Sequence, residues 1–223
     1  MGPLATVDFM RKLLAATPAT ADQDHIPLVV SSIPQVPDRT AAFRGEGESP
    51  LGAMVSSGQR LIAAGAGLVV IPCNTAHLWF DDIHEALGLP MLHLVDAAID
   101  EVLSVADGRK VGLLATDATL ASGLYLNRRP PDGRHVTWLL PTAGEMLDLL
   151  MPGIAAVKAG QLESGGHLLS RAAHALRGRG ANAVVMGCTE IPLALDSASA
   201  GLTVVDATAA LARKAVRWAL EQR

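Results

Sequence analysis

Gly65-Ala-Gly-Leu-Val-Val-Ile-Pro-Cys73 and Gly180-Ala-Asn-Ala-Val-Val-Met-Gly-Cys188 are one pattern written twice, 115 positions apart (188 against 73). The glycine, the alanine, both valines and the cysteine coincide. A second pair follows in the same order, Leu94-Val-Asp-Ala97 and Val204-Val-Asp-Ala207, each ahead of a helical pattern. Any two buried strands can look alike; the shared register of the cysteines is what argues for a repeat.

Outward from these segments, short runs rich in Val, Leu and Ile alternate with helix-length stretches, as parallel sheets covered on both faces require. Strands are expected at Pro27–Ser32, Leu68–Ile71, Lys110–Ala115, His135–Leu140 and Ala183–Met186. Helices are expected at Leu4–Ala16, Pro50–Ala64, Ala76–Leu87, Thr119–Asn127, Ala143–Ala159, Gly166–Arg177 and Ala207–Glu221. The fold class is α/β: two similar Rossmann-like α/β/α lobes with parallel sheets, related by a pseudo-two-fold. One lobe is expected to comprise residues 1–92 with 202–223, the other 93–201. The second half opens on strand Lys110–Ala115, whereas the first opens at Met1-Gly-Pro-Leu-Ala-Thr6 with no strand before it. The repeat therefore implies that the sequence begins one strand late.

Half of the 223 residues are hydrophobic, enough for a sizeable core. Charged residues make up 18%, the net charge is −4 and only 3% are aromatic, which argues against a nucleic-acid binder with a basic stripe or base-stacking surface. No apolar run reaches the roughly 18 residues of a membrane span. Asp8, Arg11 and Lys12 interrupt the place of a secretory h-region. The expected compartment is the cytoplasm, where two cysteines are more readily free thiols than a disulfide.

Each cysteine follows a short buried strand and precedes a polar pair, Asn74-Thr75 or Thr189-Glu190. Ligands of open α/β sheets bind beyond the carboxyl ends of the strands. Asn74 and Thr75 are good N-cap residues for the helix expected at Ala76–Leu87, and a thiol at a helix N-terminus ionises more easily. Inverting a carbon centre by proton transfer needs one acid/base group on each face, within hydrogen-bonding reach of the proton. Two related halves supply equivalent thiols in that way. Four other readings stay open: inert buried cysteines, a disulfide, a zinc site (although no C-x-x-C or paired-His spacing is present), and a thiol hydrolase using Cys73 with His77 as its base.

At these residues the sequence resembles the aspartate/glutamate racemase family, specifically its aspartate racemase branch. The matching pieces are Met1-Gly-Pro-Leu-Ala-Thr6, Asp22-Gln-Asp-His-Ile-Pro27, Pro37-Asp-Arg-Thr40, Pro72-Cys-Asn-Thr-Ala-His77 and Gly187-Cys-Thr-Glu-Ile-Pro192. The resemblance implies two α/β lobes with a site between them, a homodimer, and racemisation of an acidic amino acid without pyridoxal phosphate or any other cofactor, or a metal. It implies Cys73 and Cys188 as the catalytic pair, the first taking the proton from the D-enantiomer and the second from the L-enantiomer. Asn74, Thr75 and Thr189 would hold the α-carboxylate and amino group. Arg39 and Lys158 would clamp the side-chain carboxylate, for which an arginine fork is suited. The family's opening strand and its Gly-Gly before Met-Gly-Pro have no counterpart here. Glutamate racemases carry His where this chain has Glu190, which moves the reading away from them.

Gln35 shares a loop with Arg39 and is a further candidate for substrate contact. Thr6 and its counterparts Thr116 and Thr119 either line the cleft or cap helices. Glu190 completes the candidate binding set. His93 and Asp96, near the lobe junction, are expected to be structural. Three functions are therefore in play: an acidic amino-acid racemase; a two-cysteine relative such as a maleate isomerase, a hydantoin racemase or a racemase of wider range; and a binding protein left inactive by loss of the first strand. Aspartate and glutamate differ by one methylene, worth only about 1–3 kcal/mol in a pocket.

Overall fold

A computed structural model describes residues 2–106, 110–130 and 133–222. The chain divides into two compact units, Met1–Leu94 with Thr208–Arg223, and Val95–Ala207.

In the first unit, helix α1 (Pro3–Ala16) opens on a proline at N1, where the missing N–H costs nothing. Its apolar stripe buries Ala5, Phe9 and Leu13. Helices α2 (Arg39–Phe43) and α3 (Leu51–Ala63) follow, then strand β1 (Val69–Val70), helix α4 (Phe80–Leu87) and strand β2 (Met91–Leu92). β1 and β2 pair in parallel. Val36, Met54, Ile71, Ala76 and Ile83 form the core beside them, with Cys73 packed at its margin.

The second unit takes in α5 (Leu94–Val105), β3 (Lys110–Ala115), α6 (Asp117–Ala121), β4 (Thr137–Leu139), α7 (Ala143–Glu145), α8 (Met151–Lys158), α9 (Leu162–Gly178), β5 (Ala183–Gly187), α10 (Ser197–Ala200) and β6 (Thr203–Asp206). Helix α11 (Ala207–Glu221) returns to the first unit. The strands form one parallel sheet in the order β4-β3-β5-β6. α9 seats Leu169, Ala172, Ala173 and Leu176 against Leu114, Val184 and Met186. Each fully buried leucine contributes about 1.5–3 kcal/mol.

Between α7 and α8 the helix widens into a π-turn, Met146–Leu150, where the Met151 N–H donates to the Met146 carbonyl five residues back. Pro152 is the sequence cause. It has no N–H for the Asp148 carbonyl, and its ring would collide with that carbonyl in a regular helix.

The parallel α/β architecture expected from the sequence is present, with local departures. Pro27–Ser32 joins no ladder among the described residues. A β-rich segment without a hydrogen-bonded neighbour stays unpaired, and Leu28, Val29 and Val30 remain 43–45% exposed. The stretch expected to be helical at Thr119–Asn127 is α6 followed by turns. Thr116 caps it early, and Gly123, at φ 70, turns the chain out of it. Ala76–Leu87 is a 3-10 turn, Thr75–Trp79, before α4 begins. Strand β6, within the stretch assigned to the first lobe, pairs with β5 in the second unit. No helix among the described residues is long and apolar enough to cross a membrane.

Candidate active site

β1 ends at Val70, and Pro72 turns the chain so tightly that the Cys73 N–H donates to the Ile71 carbonyl at 2.8 Å. Cys73 is half-buried and Asn74 and Thr75 are buried. Because the next residues form a 3-10 turn, Asn74 makes no side-chain cap of the kind expected for it. His77 is tied to backbone at both nitrogens: Nδ1 lies 2.8 Å from the Cys73 carbonyl, and Nε2 accepts the Leu94 N–H at 3.0 Å. That pattern fixes the neutral Nδ1–H tautomer. His77 packs edge-on to His93 and stacks on Phe80. A histidine so engaged positions the cysteine turn and has no lone pair left to deprotonate the thiol.

Arg39 is the first residue of α2, whose N-cap Asp38 accepts from the Thr40 and Ala41 N–H groups. α2 packs against the turn that follows Cys73. One guanidinium nitrogen of Arg39 donates to the Val36 and Pro37 carbonyls at 3.2 and 2.9 Å. Its Nε is buried without a hydrogen-bond partner among the described residues. The side chain is thus braced by its own loop with donor capacity left over. Gln35 stands exposed in the adjoining turn. Thr6 sits in α1, its hydroxyl donating to the Gly2 carbonyl at 3.3 Å.

In the second unit, β3 and β5 run in register to their carboxyl ends, Ala115 opposite Gly187. Thr116 and Cys188 come next on each strand, at one edge of the sheet. Gly187 is required by close approach: a Cβ there would lie 3.0 Å from Ala115 Cβ and 3.2 Å from the Leu114 carbonyl oxygen. Thr116 serves as the N-cap of α6, accepting the Thr119 N–H at 3.3 Å and donating to Thr119 Oγ1 at 3.0 Å. Thr116 thus fills the capping role that was one of its two expected alternatives.

Cys188 is buried, and its thiol donates to Glu190 Oε2 at 3.1 Å; Thr189 Oγ1 donates to the same oxygen at 3.2 Å. Burial first, then the charge and hydrogen bond of the Glu190 carboxylate, push the Cys188 thiol well above its usual range. The Glu190 backbone hydrogen bond and the charge of Lys158 pull the other way. Lys158 is exposed at the last position of α8, which packs against the turn after Cys188, Ile191–Leu193. Sequence reasoning missed Tyr125. It is fully buried, crosses Trp138 edge-on at 5.6 Å between ring centres, and its phenol is pushed up by burial and by the charges of Asp206 and Cys188. It is the chain's one tyrosine, which was the signal available. Asp96 is structural, held by Arg128 in a two-pronged pair at 2.5 and 2.8 Å.

A sheltered thiol facing its own carboxylate, on a parallel α/β sheet edge, is equipment for giving and taking protons. The class this defines is an acid/base enzyme on a Rossmann-like scaffold.

The comparisons agree with that class. The Asp/Glu/hydantoin racemase family model matches residues 1–215. The chain is 26% identical to a broad-specificity amino-acid racemase of Bacillus subtilis, over 97% of this chain and 93% of that one. The structure superposes on Picrophilus torridus aspartate racemase with a TM-score of 0.83 at 27% identity, covering 97% of this chain and 90% of that one. An aspartate racemase homologue from Pyrococcus horikoshii, at 24% identity and TM-score 0.76 over 98% and 95% of the two chains, shares the fold. The chain belongs to the Asp/Glu/hydantoin racemase family, and it is an isomerase of the racemase type.

Proposed function

We propose that the chain racemises an acidic amino acid, aspartate foremost, with no cofactor and with Cys73 and Cys188 as its two acid/base groups. The observation that carries this reading is the Cys188 thiol hydrogen-bonded to the Glu190 carboxylate at 3.1 Å, at the end of a strand whose counterpart leads to Cys73. Inversion at Cα needs one base to remove the proton and one acid to return it. In the D-to-L direction Cys73 takes the α-proton as a thiolate and the Cys188 thiol delivers its own to the opposite face; the reverse reaction exchanges the roles. Glu190 then holds the proton on Cys188 between turnovers. Arg39 and Lys158 bind the side-chain carboxylate. Asn74, Thr75 and Thr189 bind the α-carboxylate and amino group, with Thr6, Gln35 and Thr116 completing the surroundings. The enzyme acts as a cytoplasmic homodimer.

Circular dichroism of D- and L-aspartate and glutamate incubated with the enzyme tests the substrate. Deuterium uptake at Cα in D2O tests the mechanism. Cys73→Ser and Cys188→Ser should each stop racemisation yet retain exchange, the former on the L-enantiomer and the latter on the D-enantiomer. Normal racemisation by either variant would end the two-base reading. A wider amino-acid range is the second reading, favoured by the likeness to the Bacillus subtilis racemase. Neutral and basic amino acids in the same assay separate the two.

A further inference from the structure

The two bonds of the buried His77 ring use different properties of a neutral imidazole. Nδ1–H donates to the Cys73 carbonyl at 2.8 Å, and the Nε2 lone pair accepts the Leu94 N–H at 3.0 Å. Leu94 is the first residue of α5. Its N–H is one of the four that the start of a helix leaves without an intrahelical acceptor. Nε2 therefore does for α5 what a capping side chain does, from 17 residues upstream. Leu94 is also the residue at which the chain leaves the first unit.

A proton on the ring treats the two bonds unequally. Imidazolium carries N–H on both nitrogens and has no acceptor left. The bond to the Cys73 carbonyl survives. At Leu94 two N–H donors would face each other, at the positive end of the α5 dipole. Turning the ring over brings no remedy, because both nitrogens are then donors. The turn around Cys73 keeps the bonds that protonation does not touch: Cys73 N–H to the Ile71 carbonyl at 2.8 Å and His77 N–H to the Asn74 carbonyl at 2.9 Å. What opens is the tie between that turn and α5.

Other titratable groups surround the ring. His93 is buried and meets it edge-on at 4.6 Å between centres. Phe80 lies flat between His77 and the exposed His84. α4, which packs against the turn, also carries Asp81, Asp82 and Glu85, all exposed. α2 packs there too and brings Arg39, whose guanidinium is bound to its own loop. In the first turn of α5, Asp96 is engaged by Arg128. His93 is thus the rival titrating group in direct contact with the ring.

We infer that His77 is a proton-operated latch. Neutral, it ties the Cys73 turn to the first residue of α5; protonated, it releases Leu94 and stays with Cys73. In the racemase reading the loosened turn carries a catalytic thiol, but the latch itself does not depend on that reading.

The test follows amide exchange in the full chain from about pH 8 to about pH 4.5, as protection factors corrected for the intrinsic rate. The His77 amide, bonded within the turn, is the internal reference. Imidazole 15N shifts report the tautomer and the protonation of His77 and His93 separately. His77 should be the Nδ1–H tautomer at the alkaline end. Leu94 protection should fall at least about fivefold, the worth of one hydrogen bond, along the same one-proton curve as the His77 imidazole, while the His77 amide holds. His77→Gln, which keeps an acceptor and cannot titrate, should show no such fall, and His93→Gln should keep it. An Nε2–H tautomer, Leu94 protection that stays flat with pH, or a fall shared equally by the His77 amide would overturn the latch. So would a fall that persists in His77→Gln or follows the His93 curve. Should His77→Gln not fold, the agreement or divergence of the Leu94 and His77 curves in the unaltered chain decides alone.

Discussion

Replacing Glu190 by glutamine isolates the group that holds the proton on Cys188. Glutamine keeps the size of glutamate and an acceptor oxygen for the thiol, and removes the charge. A hydrogen bond to a charged group contributes about 1.5–3 kcal/mol and one between neutral groups about 1, so the protonated form of Cys188 loses roughly 1 kcal/mol or somewhat more. The thiol comes down toward its usual range, and a loss of about 1.4 kcal/mol would raise its thiolate fraction at fixed pH about tenfold. Nucleophilicity declines with pKa at a Brønsted slope of about 0.4–0.5, which takes back about threefold. Alkylation of Cys188 by iodoacetamide at pH 8 should therefore run about threefold faster in Glu190→Gln. Peptide mass spectrometry follows Cys188 and Cys73 separately, with Cys73 as the reference in the same tube. Lys158→Met should move Cys188 the opposite way, because the Lys158 charge favours the thiolate. An unchanged or slower Cys188 in Glu190→Gln, or a faster one in Lys158→Met, would refute the role given to the carboxylate.

Arg39→Ala should lower kcat/KM for aspartate about tenfold or more, the worth of a charge-assisted pair, with the circular dichroism spectrum unchanged; an unaltered rate would return Arg39 to the scaffold. Gly187→Ala should cost about 1–3 kcal/mol, since the added methyl meets backbone and a facing methyl that cannot yield, and a urea titration measures it. Cys188 keeps its proton in the native state above the pH at which the unfolded thiol loses it. Its contribution to stability is therefore whole below about pH 8.5 and declines as pH rises beyond that; the slope of the urea midpoint from pH 8 to 10 should be shallower in Cys188→Ala, and an unchanged slope would assign the alkaline loss to other groups.

The repeat around Cys73 and Cys188 made the architecture legible, because two parallel strands, each leading to a cysteine within three residues, need continuous apolar runs that stand out in a sequence. The candidate site was legible as residue types beside those strands. What the sequence left obscure is partnership. Pro27–Ser32 has the composition of a strand, and nothing in its own residues reveals whether a neighbour pairs with it. Glu190 was visible as a polar residue after a cysteine, but its use as the acceptor of the Cys188 thiol goes with the turn closed by the Ile191 N–H on the Cys188 carbonyl at 3.1 Å. His77 lay one helical turn from Cys73 in either reading. Only the backbone bonds to both its nitrogens distinguish a brace from a base. Tyr125 is brought beneath the sheet edge by the Gly123 turn, an effect carried by one backbone angle.

The π-turn at Met146–Leu150 sets the angular phase of α8, the helix that follows it. Ahead of it, α7 is clamped by the Thr142–Glu145 cap and by the Arg179–Glu145 ion pair. Beyond it, every residue is out of phase with a regular helix by one position. Deleting that extra residue would rotate everything downstream by about 100° and draw it in by about 1.5 Å, with Pro152 still lacking an N–H for the carbonyl four residues back. Ile154 and Val157 would leave the core. The single surplus residue thus acts as a phase setter: it keeps the apolar face of α8 turned into the core by leaving one turn of helix overfull.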